Sequence, residues 1–284
     1  MKILILGGDG MLGHELLRQL RTKHEVRVTL RKAVTDYAHY QMFDASNSIG
    51  SVDVRDFRSI EHCVEKFHPD AVINAVGVVK QRSTAAEHIP SIEINALLPH
   101  RLAFLCRNNG ARLVHMSTDC VFSGKTGNYD EDDTPDADDL YGRSKLLGEV
   151  DEAPAITLRT SIIGRELSRK TGLLEWFLAQ QGSIKGYRKA IFSGFTTTEM
   201  SRIIEMLLTQ FPQAHGLYHV SSAPISKYDL LMLIRDRMRM PIDIKSDDDF
   251  HCDRSLNSTR FRTAFNYRPP EWNVMIDELA TVTG

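Results

Sequence analysis

The chain has 284 residues, a length that suits about two domains or one large unit of alternating strands and helices. Its 35 basic and 37 acidic residues give a formal net charge of −2, which argues against a protein that binds nucleic acid or an anionic membrane. Hydrophobic residues make up 42% and charged residues 25%, as in folded globular proteins and unlike disordered chains.

The cysteines and the N-terminal segment further limit the class of protein and the compartment that we expect. The four cysteines lie far apart and form no Cys-x-x-Cys pair, so neither a disulfide framework nor a metal site is expected. The apolar run over residues 1–6 is too short for a signal peptide or a membrane span. We therefore expect a cytoplasmic protein that binds neither membranes nor nucleic acid.

The first half of the chain alternates short apolar runs with helical patterns. The predicted strands cover residues 1–6, 26–30, 51–54, 71–76, 113–116 and 156–158. The predicted helices cover residues 11–20, 60–67 and 92–107, with a further helix around Tyr141. Strands that alternate with helices require crossover connections, so the pattern predicts an α/β fold with a doubly wound parallel sheet.

The alternation loosens after about residue 160. Amphipathic helices are predicted at residues 173–180, 199–210, 227–238 and 273–280, in a region that is less regular than the first. We predict a cofactor-binding domain over residues 1–160 and a smaller, mainly substrate-binding lobe over residues 161–284. Part of that second segment is expected to return to the sheet.

A glycine triplet follows the first predicted strand and opens into a helix. In such a turn Gly7 and Gly10 permit a tight bend and a close approach to a pyrophosphate, and Gly13 lets the helix pack on the strand. The helix N-terminus then faces the negative charge, so Met11 and Leu12 are predicted to contact the cofactor too. Glycines also serve ordinary turns, but this position directly after a strand favours a dinucleotide site of the Rossmann type.

The next two strand ends bear on the choice of cofactor. A dinucleotide site usually has an acidic residue after the second strand, where it accepts hydrogen bonds from the ribose hydroxyls. This chain has Arg31 and Lys32 there instead. Because a guanidinium binds a 2′-phosphate, these residues favour NADPH over NADH. The alternative is a pair of solvated basic residues. Asp53 ends the third predicted strand, where it and Val54 can contact the adenine; the alternative for Asp53 is an N-cap of the following helix.

A tyrosine and a lysine four residues apart form the predicted catalytic pair. Tyr141 and Lys145 lie on one face of a predicted helix, where the ammonium can stabilise a phenolate and hold the nicotinamide ribose. Free tyrosine titrates near 10, so this help is needed near neutral pH. Upstream, Thr118 ends a predicted strand, at the edge of the sheet where ligands bind, and its hydroxyl can bind a carbonyl oxygen.

These features together resemble a known family. The motifs Gly7-x-x-Gly10-x-x-Gly13, Asn74-Ala75-Val76-Gly77 and Tyr141-x-x-x-Lys145 resemble those of the extended short-chain dehydrogenases/reductases. Segments 117–124, 127–133, 141–149 and 159–161 are similar to the dTDP-4-dehydrorhamnose reductase branch, and so, less closely, are 255–257 and 270–272. The resemblance is strong to about residue 165 and weaker beyond it.

The resemblance implies the reduction, with NADPH, of the C4 ketone of a nucleotide-linked 4-keto-6-deoxyhexose. Tyr141 would be the proton donor, Lys145 would bind the ribose and Thr118 would polarise the ketone, while Asn95 would support this site. The loop after the fourth strand would contact the cofactor through Ala75, Val76 and Gly77. The residues expected to contact the sugar nucleotide are Lys80, Gln81, Thr118, Asp119, Ser161 and Arg254. A homodimer is one assembly compatible with the family.

Departures from the family pattern leave several possibilities open. Cys120 stands where the branch usually has an aromatic residue, and it is either a reactive thiol or a packed side chain. No Glu follows Asp119, which disfavours a dehydratase. The basic loop at residues 80–82 makes a UDP-2-acetamido-2,6-dideoxy-4-hexulose a credible substrate. A non-catalytic NADP-binding regulatory subunit and a sugar-nucleotide epimerase also fit the fold, although Arg31 argues against the epimerase because such enzymes usually hold NAD.

Overall fold

A computed structural model describes residues 1–78, 87–168 and 170–281 and divides the chain into two compact units. Unit 1 comprises Met1–Ser117, Asp139–Leu158 and Ser201–Leu217. Unit 2 comprises Thr118–Asp138, Arg159–Met200 and the chain from Tyr218 onward. The chain therefore passes from one unit to the other several times.

Over the first 160 residues strands alternate with helices as the hydrophobic pattern predicts, and six further strands follow that the pattern did not predict. The strands are β1 Lys2–Leu6, β2 Glu25–Thr29, β3 Ser48–Ile49, β4 Ala71–Asn74, β5 Arg112–Thr118, β6 Ala155–Thr160, β7 Ile162–Ile163, β8 Ser183–Phe192, β9 Phe195–Thr196, β10 Gly216–His219, β11 Ile225–Ser226 and β12 Asp243–Asp253. The helices are α1 Met11–Leu20, α2 Phe57–Phe67, α3 His88–Ser91, α4 Leu98–Asn108, α5 Leu140–Leu147, α6 Leu173–Leu178, α7 Thr197–Gln210, α8 Lys227–Met238, α9 Thr259–Phe265 and α10 Trp272–Thr281. A π-helical turn, Ile92–Leu97, joins α3 to α4.

A seven-stranded sheet has the order β10-β6-β5-β4-β1-β2-β3. The pairs β1–β2, β2–β3, β1–β4 and β4–β5 are parallel. The order reverses between β1 and β4, so crossover helices cover both faces, and the prediction of a doubly wound parallel sheet is confirmed. In such sheets ligands bind beside the strand ends at this reversal.

The apolar strand sequences explain why this sheet is buried on both faces. Residues 3–6 of β1 and residues 71–73 of β4 are fully inaccessible to solvent, as a parallel sheet between two helical layers requires. On one face α2 and α4 complete a core with the strands. Its members include Leu4, Leu6, Ile60, Val64, Phe67, Val72, Leu102 and Leu113.

The third strand differs from its prediction. It covers Ser48–Ile49 instead of residues 51–54, and Ser51 adopts a left-handed conformation with φ of 59°. The backbone is crowded there, because a Cβ added to Gly50 would lie 2.7 Å from the Val34 nitrogen. Asp53 consequently lies in the connection to α2 and not at a strand end.

Unit 2 contains a three-stranded sheet of order β11-β8-β12 and the small pair β7–β9. Aromatic side chains form much of its interior: the Phe261 ring centroid lies 4.8 Å from that of Phe265 and 5.6 Å from that of Tyr267. No helix within the described ranges has the length and apolar character needed to cross a membrane.

We predict that Gly148→Ala destabilises the protein. A Cβ at Gly148 would collide with the backbone oxygen of Asn95, so α5 must move away from the π-helical turn. Urea denaturation should show a loss of about 1–3 kcal/mol in the free energy of unfolding, the usual cost of overpacking.

Gly77→Ala is the matched control, because its added Cβ would meet no atom closer than Asn95 Oδ1 at 3.5 Å. This variant should unfold at nearly the wild-type urea concentration. Equal stability of the two variants would show that the contact at Gly148 is not a packing constraint.

Candidate functional site

The glycine turn brings the backbone of α1 unusually close to β1. Gly7 has φ of 85°, and the Gly10 amide donates to its carbonyl oxygen at 3.0 Å. A Cβ on Gly13 would collide with the same Gly7 oxygen. Only glycine at position 13 allows α1 to start directly at the end of the strand.

The resulting helix N-terminus suits an anion. The Met11, Leu12 and Gly13 amides precede the first intrahelical hydrogen bond, which His14 donates to the Gly10 carbonyl at 3.2 Å. The cap residue Gly10 has no side chain to occupy these donors, and the first turn has no acidic residue. This backbone cradle, which a Cβ would fill, fits the pyrophosphate of a dinucleotide.

The loop after β4 lies against the glycine turn across the reversal of strand order. A Cβ on Gly7 would lie 2.9 Å from Val76 Cγ2, so Val76 is in close contact with the turn. The Val76 amide donates to Asn74 Oδ1 at 3.2 Å, and Asn74 Nδ2 lies 3.1 Å from His115 Nδ1. Burial holds the pKa of His115 well below its usual value, which keeps the ring a neutral acceptor for the amide. The segment 75–77 is thereby fixed beside the glycine turn.

Arg31, Lys32 and Asp53 belong to one charged surface beyond β2. Arg31 and Lys32 are exposed, and Arg31 Nη2 lies 4.0 Å from Asp53 Oδ2. Asp53 does not cap α2, which begins at Phe57 with Asp56 as its N-cap residue. Val54, the other residue predicted near the adenine, packs partly buried against the core.

Arg55 is a residue of this surface that the sequence interpretation missed. Its Nη2 lies 2.6 Å from Asp53 Oδ2, and its Nε lies 3.1 Å from Oδ1. Hydrogen bonding by Arg55 is the main reason why the pKa of Asp53 falls to about 2. The spacing Asp53-Val54-Arg55 could have predicted this contact, because in a turn an arginine two residues after an aspartate can fold back on its carboxylate.

Helix α5 begins where the predicted catalytic pair requires it. Asp139 caps the helix by accepting a hydrogen bond from the Gly142 amide at 2.7 Å. Tyr141 follows in the first turn and Lys145 one turn later, so both side chains project from one side of the helix. Tyr141 is half-buried and Lys145 is buried.

Lys145 is held at the end of β5. Its Nζ donates to the Met116 carbonyl oxygen at 2.6 Å. Burial lowers the pKa of the ammonium to about 8, against the opposing attraction of the Glu149 carboxylate. Glu149 is itself placed by a hydrogen bond from Ser117 Oγ at 2.6 Å. The lysine therefore carries its charge in a confined place near neutral pH.

Asn95 connects the π-helical turn to both neighbouring segments. Its Oδ1 accepts from the Val78 amide at 2.9 Å, and its Nδ2 donates to the Val78 carbonyl at 3.1 Å and to Ser144 Oγ at 3.1 Å. The amide thus ties the loop after β4 to helix α5. A buried hydrogen-bond network of this kind is expected both of a residue that supports a site and of one with a purely structural role.

In unit 2, Thr118 and Asp119 lie at the end of β5. Thr118 Oγ1 accepts from the Cys120 amide at 3.1 Å and donates to Asp119 Oδ1 at 3.2 Å. Burial raises the pKa of the Asp119 carboxyl, although Arg254 attracts its charged form. Burial also raises the pKa of the partly exposed Cys120 to about 12, which disfavours a reactive thiolate.

Of the four other residues predicted to contact the sugar nucleotide, the structure describes Arg254 and Ser161. Arg254 Nε donates to the Phe122 carbonyl at 2.8 Å, which holds the guanidinium near Asp119. Ser161 accepts the Phe195 amide on its backbone oxygen at 2.9 Å. Lys80 and Gln81 lie outside the described residues. Within the described ranges, no group of three metal-ligating side chains occurs.

Comparisons with known proteins show the family and the fold of the chain. The profile of the RmlD substrate binding domain family matches residues 1–282. The chain is 24% identical to the dTDP-4-dehydrorhamnose reductase of Aggregatibacter actinomycetemcomitans, over 95% of each chain. It is 28% identical to the methionine adenosyltransferase 2 subunit beta of Bos taurus, over 84% of this chain and 73% of that protein.

A solved structure shows the same fold. The dTDP-4-dehydrorhamnose reductase of Bacillus anthracis, in complex with NADP, superposes with a TM-score of 0.78 and 19% identity over 98% of each chain. The glycine turn, the strand order and the family match together establish the assignment. The chain belongs to the RmlD substrate binding domain family, within the extended short-chain dehydrogenase/reductase fold.

Proposed function

We propose that this protein is an oxidoreductase that uses NADPH to reduce the C4 ketone of a nucleotide-linked 4-keto-6-deoxyhexose. The observation that carries the proposal is the pair on α5, where Tyr141 precedes a buried Lys145 held at the end of β5. The 24% identity to a named dTDP-4-dehydrorhamnose reductase supports the same reaction class.

The residues of unit 1 would hold the cofactor. The amides at the start of α1 bind the pyrophosphate, and the Ala75–Gly77 segment borders the nicotinamide half. Lys145 donates to the nicotinamide ribose, and the Arg31 and Lys32 cations attract the 2′-phosphate. Bound NADPH supplies the hydride.

Proton transfer to the substrate oxygen is the role of Tyr141. As the ketone is reduced, negative charge develops on its oxygen, and the Tyr141 hydroxyl gives up its proton to that oxygen. The Lys145 ammonium stabilises the phenolate that remains, because opposite charges at short range favour the ionised form. Asn95 keeps α5 in register with the loop after β4 while this occurs.

The sugar nucleotide would meet polar residues that follow the strand ends. We propose Thr118 as a donor to the ketone, and Lys80, Gln81, Asp119, Ser161 and Arg254 as contacts of the nucleotide diphosphate and sugar. In the structure the Thr118 hydroxyl donates to Asp119, so it must rotate to serve the substrate. The substrate is dTDP-linked in one version of the proposal and a UDP-linked acetamido sugar in the other.

A second candidate is a non-catalytic NADP-binding regulatory subunit. The 28% identity to a methionine adenosyltransferase subunit beta is the observation that favours it. A binding module has no need of a proton donor with a buried lysine one turn away, and this pair favours the enzyme.

NADPH oxidation by the purified protein should distinguish the reductase from the non-catalytic regulatory subunit. The substrates to compare are dTDP-, UDP- and GDP-linked 4-keto-6-deoxysugars. We expect turnover with at least one of them. Tight binding of NADP without turnover on any of the three classes would favour the regulatory subunit.

We predict that Tyr141→Phe lowers kcat by about 10²–10⁴-fold, the usual contribution of a positioned acid. The Kd for NADPH, measured by fluorescence titration, should change little because the phenol is not its main contact. Tyr187→Phe on β8 removes a hydroxyl that has no part in the proposal and should retain full turnover. Retained turnover in Tyr141→Phe would exclude this residue as the acid.

We predict that kcat/KM for NADPH falls as the pH rises through about 8, where Lys145 loses its proton. The pKa of this lysine is lower than that of a free lysine, so the charged form that stabilises phenolate predominates only below that pH. Lys145→Arg keeps its charge to high pH and should lack this alkaline limb, at a reduced maximal rate. An identical alkaline limb in both proteins would assign it to another group.

We predict that Arg31→Asp shifts preference toward NADH. The new carboxylate repels a 2′-phosphate and can accept from ribose hydroxyls, so the ratio of the Kd for NADP to that for NAD should rise by about tenfold or more. Calorimetric titration measures both constants. Arg58→Asp, with the same change of charge at an exposed position of α2, should leave the ratio unaltered.

A further inference from the structure

Two guanidinium groups converge on one carboxylate oxygen beyond β2. Asp53 Oδ2 lies 4.0 Å from Arg31 Nη2 and 2.6 Å from Arg55 Nη2. The side chains of Arg31 and Arg55 are 67% and 46% exposed, so a ligand in solution can reach both. The chain thus presents an arginine pair, Arg31 and Arg55, on one shared acidic support.

Asp53 fixes the orientation of the second arginine. The carboxylate accepts from Arg55 Nε at 3.1 Å and from its backbone amide at 3.1 Å, in addition to the short contact with Nη2. A guanidinium has five donors in a rigid fork, and Asp53 uses only the Nε and Nη2 side of it. The remaining donors of Arg55 are held in a defined direction.

The local charge suits a doubly charged anion. Arg31 and Arg55 both face Asp53, and the Glu93 carboxylate also acts on Arg55, so the positive charge of the pair is only partly offset. A phosphate monoester carries about −2 near neutral pH. Without Arg55 the Asp53 carboxylate would lose its partner at 2.6 Å and would be set against Arg31 alone, so the surface would attract such a group less.

The position of the arginine pair in the fold indicates which phosphate group it would bind. Arg31 lies two residues after β2, and in a dinucleotide-binding fold the residues after this strand face the adenosine ribose. We propose that Arg55 acts with Arg31 as the clamp for the 2′-phosphate of NADPH, so that Arg55 is a second determinant of cofactor specificity. Asp53 is its positioning residue. This inference rests on the proposed function, because it assumes that the glycine turn binds a dinucleotide.

An ordinary surface ion pair is the competing explanation. Exposed pairs contribute about 0–1 kcal/mol to stability and need no ligand. An ion pair of that kind would leave the affinities for NADP and NAD equally unaffected when Arg55 is replaced. The two explanations therefore differ in a measurable ratio of binding constants.

The test is calorimetric titration of the full chain with NADP and NAD, repeated with 2′,5′-ADP and 5′-AMP as fragments. The variants are Arg55→Gln, Arg31→Gln and the double variant, with Arg58→Gln as the matched control for a lost cation on the same segment. We expect Arg55→Gln to weaken NADP and 2′,5′-ADP by about tenfold, since a charge-assisted hydrogen bond has about that effect. The affinities for NAD and 5′-AMP should change by less than about twofold, and Arg58→Gln should resemble the wild type.

Two further measurements sharpen the result. Arg55→Lys keeps the charge without the fork and should recover only part of the affinity for NADP. The affinity of the wild type for 2′,5′-ADP should fall more steeply with salt than that of Arg55→Gln, because exposed charges are screened.

The outcomes separate the inference from the proposed function. Equal affinities of wild type and Arg55→Gln for NADP, or equal losses for NADP and NAD, would overturn the role of Arg55 and leave the dinucleotide site standing. A wild type that binds neither NADP nor NAD would overturn both proposals.

Discussion

The close packing of α1 on the end of β1 is the contact on which the site depends. A Cβ on Gly13 would collide with the Gly7 carbonyl oxygen, so glycine at position 13 lets α1 begin after a turn of only four residues. A helix in this position aims its unpaired amides at the point where the strand order reverses. Any larger residue would tilt the helix and turn those donors away from the crevice.

From this contact a continuous set of interactions crosses the sheet. Gly7 contacts Val76, whose amide is held by Asn74, and Asn74 pairs with His115 on the neighbouring strand. On that strand the Met116 carbonyl holds Lys145. The glycine turn and the buried lysine are thus positioned by adjacent strands of one rigid sheet, so their relation is set by strand register instead of by loop conformation.

Electrostatics divides the site into regions with different tasks. The net charge of −2 conceals a cationic surface at Arg31, Lys32 and Arg55, which is exposed and suited to an anion arriving from water. Lys145 is buried, and burial lowers the pKa of its ammonium to about 8.

Local sequence patterns predicted the strands and helices that depend on residues close to one another in the chain. The apolar strands, α1 over residues 11–20 and the helix carrying Tyr141 follow from hydrophobic period and from glycine spacing. The prediction of the third strand was wrong because the left-handed backbone at Ser51 ends the extended conformation there, and a short apolar pattern does not reveal such a turn. The thiol of Cys120 could not be classified from the sequence, because its pKa depends on burial by residues elsewhere in the chain.

The sequence by itself therefore determined the family, the alternation of strands and helices over the first 160 residues, and the residue types of the glycine turn and of the Tyr141–Lys145 pair. These follow from short-range spacing and from the covalent limits on glycine. Only the tertiary structure decided that Asp53 supports Arg55 instead of capping α2, that Asn95 joins α5 to the loop after β4, and that a carbonyl of β5 holds Lys145. Such contacts depend on which segments the sheet brings together. A local sequence pattern does not say which distant segments will be neighbours.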